Sequence, residues 1–194
     1  MKLHDEEIKD LIVASAALVF IFSYPEFLSE PSLLLVSAMA IVSGFALHEL
    51  AHRFVANKFG AAAQFRMWKE GLVMALVLAI ATNGNFVFAA PGAVMVNSVK
   101  FSFSHGLVAL GRREFGIISA AGPLTNVIVA AIFLALYSTV SNAAMLYAAT
   151  INISLALFNM IPIPPLDGSK VFSWNLAAWA ATVVVIILFK VFLL

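Results

Sequence analysis

His48, Glu49 and His52 stand in the order His-Glu-Leu-Ala-His over positions 48–52. On a helix, residues four apart project from one face a turn apart, so two imidazole nitrogens can meet one divalent ion about 2.0–2.1 Å from each. Glu49 lies on the adjacent face, three residues before His52. A carboxylate there can take a proton from water beside the ion without itself being a ligand. These residue types at this spacing point to metal-assisted hydrolysis. Because the chain contains no cysteine, any metal site is confined to histidine and carboxylate donors. The competing reading is that His48 and Glu49 pair with each other or with a neighbouring helix and only hold a bundle together. Ionisable groups clustered this closely in an apolar segment are costly, which weighs against it.

A catalytic zinc keeps three protein ligands and one open position. The extended pattern with a third histidine six residues after the second fails, since Val55 replaces its glycine and Lys58 its histidine. Among the acids, Asp5, Glu6, Glu7, Asp10, Glu26 and Glu30 lie at the start of the chain or on the far side, leaving Glu70, Glu114 and Asp167, with His105 as a further donor. Asp167 follows a proline-rich helix end and precedes Gly168, where the chain can bend back and aim a carboxylate inward. It is the preferred third donor. Glu70 is second, although beside Lys69 it also suits a plain interfacial charge. His105, in a polar stretch, reads as a solvent-exposed histidine.

The elements that carry these residues follow from composition. Hydrophobic residues make up 63% of the 194 and charged ones 11%, against roughly 45–50% and 25% in a soluble domain. The solvent is therefore lipid, and at about 20 residues per span the chain accommodates five or six. The formal charge of +1, without a basic run, offers nothing to nucleic acid. The first ten residues are acidic rather than basic, so the first apolar run is expected to be a retained anchor and not a signal peptide.

The expected spans are about 8–28, 33–58, 115–137, 143–161 and 170–194. Pro31 suits the first turn of the second span, and Gly60 can end it. Residues 61–70 alternate polar and apolar and read as a short interfacial strand. The apolar pieces 71–82 and 86–96 are each too short to cross about 30 Å, which predicts a re-entrant hairpin whose second half is extended, or else one long broken span. The fold class is thus an all-α polytopic membrane protein of five to six transmembrane helices, with a short interfacial strand and a re-entrant hairpin around 61–97. Residues 1–194 form a single domain with a catalytic core at about 33–170. Lys58, Arg66, Lys69, Lys100, Arg112, Arg113 and Lys170 fall on one side, expected to be cytoplasmic. His48 lies ten residues from Lys58, roughly 15 Å of helix, so the chemistry sits inside the bilayer nearer that face.

Two intramembrane amides, Asn126 and Asn159, are candidates to hold substrate backbone or a developing oxyanion, with interhelical hydrogen bonding as the equal alternative. The stretch 86–96 could present a strand edge to an unwound substrate or merely pack.

The combination of His48-Glu49-Leu50-Ala51-His52 with Asn159-Met160-Ile161-Pro162, leading through Pro165 to Leu166-Asp167-Gly168, resembles the site-2 protease family of intramembrane zinc metalloproteases. The resemblance covers about residues 33–170 and includes the Gly122-Pro123-Leu124-Thr125-Asn126 segment between the two motifs. It implies that His48, His52 and Asp167 hold zinc and that Glu49 activates water. The implied substrates are single-span membrane proteins, cut within their transmembrane segments during regulated intramembrane proteolysis. The chain departs from larger relatives in carrying no PDZ or CBS sequence, and residues 71–83 read as an addition to the minimal core. The alternative from another class is a membrane metal-ion transporter or sensor using the same His/His/Asp cluster. It lacks an ionisable relay in the outer half of the spans and any visible repeat.

Overall fold

A computed structural model of the chain describes residues 4–87, 91–102 and 106–193. His105 lies outside the described residues, as do residues 88–90 of the expected hairpin. Helix α1 (Asp5–Ser23) opens with Asp5, Glu6 and Glu7 in its first turn, where negative charge complements the helix dipole. After a short 3₁₀ turn at Glu26–Leu28, an unbroken helical rod runs from Ser32 to Lys58. It comprises α2 (Ser32–Ile41), one π-helical segment (Val42–Ala46) and α3 (Leu47–Lys58). Pro31 caps its start, and Gly60, at φ +76°, turns the chain after its end.

The rod hands over to strand β1 (Ala61–Met67), whose Ala61, Ala63 and Phe65 face the interior in the expected period of two. Helix α4 (Lys69–Ala81) and a turn with positive φ at Asn83 and Gly84 lead to β2 (Gly92–Ser102) and β3 (Gly106–Ala109). The sheet order is β1-β2-β3, antiparallel throughout; Phe65 stands opposite Val94, and a register irregularity separates Ala61 from Ala63. The chain is mostly helical as expected, but a three-stranded sheet stands where one interfacial strand was expected. Residues 97–102 continue β2, where pairing with β1 and β3 satisfies backbone groups that would otherwise need water. Within the stretch read as a hairpin, a short apolar helix over Lys69–Ala81 is followed by extended chain from Gly92.

Acidic side chains of α1 close the outer edge of β1. Glu7 Oε1 accepts from the Phe65 backbone N–H at 3.1 Å and Asp10 Oδ2 from that of Met67 at 3.2 Å. Glu7 also forms a buried ion pair with Arg53 on α3. The opposite edge differs. β3 pairs only with Val99–Ser102 of β2, so among the described residues no strand covers that edge over residues 92–96.

Helix α5 (Arg112–Val140) begins with Glu114 accepting from the Gly111 N–H at 2.9 Å, and α6 (Ala143–Asn159) begins at Asn142, whose side chain accepts from the Ala144 N–H. The last expected span is two helices. α7 (Asp167–Trp174) stops at Asn175, whose extended backbone breaks the rod while its Oδ1 caps α8 (Leu176–Leu193) through the Ala178 N–H. α3 and α6 both pack on α5, and the core between them is apolar, centred on residues such as Ile41, Phe45, Val129, Ile153 and Met160. Among the described residues, two helices are long and apolar enough to cross a membrane, Ser32–Lys58 and Arg112–Val140. Ala143–Asn159 and Leu176–Val191 are apolar but shorter.

Candidate active site

The first turns of α3 present His48, Glu49 and His52, all buried, towards α5 and the start of α7. The two imidazoles meet edge to face with ring centres 4.6 Å apart. Asp167 reaches them because α7 begins against the end of α6. A β-carbon on Gly168 would lie 2.2 Å from the Met160 carbonyl oxygen, so only glycine permits that approach. The Trp179 indole N–H donates to the same carbonyl at 2.8 Å and ties α8 to the turn. Asp167 Oδ2 then stands 3.2 Å from His48 Nε2 and 3.0 Å from His52 Nε2. Among the described residues, this is the group of side chains that could hold a metal, with donor atoms within 4.8 Å of one another. Glu70, in the first turn of α4, and Glu114, capping α5, are not part of it.

Three features fit a metal ion. The donor set is two neutral-capable imidazoles and a carboxylate, suited to zinc. Both Nδ1 atoms are engaged elsewhere, His48 with Asn126 Oδ1 at 2.5 Å and His52 with the Ile118 carbonyl at 2.7 Å, which leaves both Nε2 atoms facing Asp167. On α5, a β-carbon on Gly122 would lie 2.4 Å from His52 Nε2 and 2.5 Å from His48 Nε2, so the absent side chain leaves open the space in front of both nitrogens.

Glu49 lines the same cavity, and its Oε2 is buried without a hydrogen-bond partner. The cavity, of about 700 Å³, is bounded by the cluster, by residues 91–96 along β2, and by Asn159 and Lys170. Lys170 Nζ stands 3.8 Å from Asp167 Oδ1. The expected amides separate here. Asn159 lines the cavity, although its Nδ2 donates to its own helix at Leu155 O, 3.0 Å away. Asn126 is fully buried and bonds to His48 and to Asn152. Asn152 was not singled out by the sequence reading. Its signal was available, as an amide inside the apolar run 143–158.

Residues 138–191 match the family model of peptidase family M50. A protein of Methanocaldococcus jannaschii is 42% identical over 179 residues, covering 90% of this chain and 87% of its own length. One of Bacillus subtilis is 30% identical over 162 residues, covering 72% of this chain and 68% of its own length. Both carry the name "Putative zinc metalloprotease". No solved structure matches the chain.

Proposed function

The chain belongs to peptidase family M50, the site-2 protease family of zinc metalloproteases, and from that premise we propose that it hydrolyses peptide bonds within the transmembrane segments of other membrane proteins. The observation that carries this reading is the convergence of His48, His52 and Asp167 beside an unbonded Glu49 oxygen, in a cavity inside an apolar bundle. A protease for soluble substrates has no need to bury its centre among lipid-compatible helices.

His48, His52 and Asp167 would hold the zinc, which when bound supplies Lewis acidity, lowering the pKa of water and polarising the scissile carbonyl. Glu49 is the general base. Its carboxylate takes a proton from the water that attacks the carbonyl carbon and returns one to the departing amine nitrogen as the C–N bond breaks. Asn159 lines the cavity, and the second N–H of its amide would donate to the substrate backbone or to the developing oxyanion. The uncovered edge of β2 over residues 92–96 borders the same cavity. A transmembrane helix must unwind before a peptide bond is accessible, and an open strand edge gives the unwound segment backbone partners. The chain is a multi-pass integral membrane protein of five to six spans. Its site lies nearer the face bearing Lys58, Arg66, Lys69, Arg112, Arg113 and Lys170, which is cytoplasmic by the bias in lysine and arginine.

Incubating the purified chain with a panel of single-span membrane proteins tests this. Cleavage within a span is expected, lost on chelation and restored by zinc. Stoichiometric metal without cleavage of any of them, together with metal movement across vesicles, would instead favour a transporter.

A further inference from the structure

We propose that Asn152 is a positioning residue: acting through Asn126, it fixes a His48 proton on Nδ1, so that Nε2 is the nitrogen whose lone pair can turn to a metal. The importance of that lone pair rests on the reading of His48 as a metal ligand. The hydrogen-bond chain itself does not.

Its polarity is set from the far end. The Ala148 carbonyl oxygen can only accept, so the Asn152 group 2.9 Å from it is the amide nitrogen Nδ2. Asn152 therefore turns Oδ1 towards Asn126, and this acceptor draws Asn126 Nδ2 to 3.1 Å. Asn126 is left with Oδ1 facing His48, and an acceptor 2.5 Å from Nδ1 requires the N–H there. One backbone carbonyl on α6 thus dictates, through two amides, which nitrogen of an imidazole on α3 is protonated.

The arrangement is built for this contact. Asn126 and Asn152 are fully buried and neither lines the active-site cavity, so substrate does not explain them. Buried amides need partners, and these have each other. The π-helical segment contributes the necessary space, since a β-carbon on Gly44, one turn before His48, would lie 2.7 Å from Asn152 Oδ1. His52 needs no such relay, because its Nδ1 bonds directly to a backbone carbonyl. Loss of Asn152 should therefore affect one histidine and spare the other.

The test is ¹⁵N NMR of the ring nitrogens in the full chain, stripped of metal, with zinc affinity measured in parallel by chelator competition. Wild-type His48 is expected to carry a proton on Nδ1, whatever the state of Nε2, which faces Asp167 Oδ2 at 3.2 Å. Asn152→Leu frees the Asn126 amide to flip, so the His48 signal should shift towards Nε2–H while His52 stays unchanged. Zinc affinity should fall about 10–100-fold, the usual cost of losing such an outer partner. Adding Asn126→Asp, whose carboxylate can only accept, should restore both the His48 tautomer and most of the affinity. Wild-type His48 found without a proton on Nδ1 overturns the proposal, and this result does not depend on any variant folding. A folded Asn152→Leu chain with unchanged His48, or a double variant with no recovery, overturns it equally. A wild-type chain that shows the Nδ1–H tautomer yet binds no zinc sinks the functional reading and leaves the relay standing.

Discussion

Glu49 and Gly122 make opposite demands on the same site. Glu49→Gln keeps the size of the side chain but removes the base, so zinc content should stay stoichiometric while cleavage is abolished; a variant with full activity would exclude the role. Gly122→Ala keeps every donor residue but calls for a methyl group within 2.5 Å of both Nε2 atoms, so the imidazoles or the helix must shift. The expected result is a folded chain that fails to retain zinc, measured by elemental analysis after dialysis. The two histidines and the glutamate of the candidate site were legible in the sequence because helical spacing alone puts them on neighbouring faces. Asp167 was legible less directly, from prolines that end one helix and a glycine that lets the next begin against it. Gly122 was quoted only as part of a motif. Nothing local announces that a glycine on one helix clears space for two histidines on another.

At the scale of elements, the apolar runs located the rods well, with the long second helix ending at Lys58 and the break before α6 close to where composition placed them. The sheet was harder to see. β2 pairs with a strand some thirty residues earlier, and its polar end at residues 97–102 resembles loop until a partner is supplied. The Asn175 break was hidden inside an apolar run, although asparagine is a favoured helix cap. The connection between α1, β1 and α3 rests on the buried Glu7–Arg53 pair. Glu7→Gln retains an acceptor for Phe65 but removes one charge of a desolvated pair. A loss of about 3–5 kcal/mol is expected, read as a lowered unfolding midpoint in detergent. An unchanged midpoint would show that the apolar packing alone secures α1.

For the molecule as a whole, the absence of native cysteine makes topology directly measurable. A single cysteine at Lys58 or Arg112 should react with an impermeant maleimide from the cytoplasmic side only, and one at Asn142 from the opposite side only. Labelling of Arg112 and Asn142 from the same side would refute the crossing by α5. The closed margin of β1 has a consequence on this scale. Glu7 and Asp10 occupy the N–H groups that a neighbour's strand would need, so sheet growth stops on that flank. In a crowded bilayer, copies of the chain cannot polymerise through it, while among the described residues the edge of β2 over residues 92–96 stays open to a guest polypeptide beside the candidate metal donors.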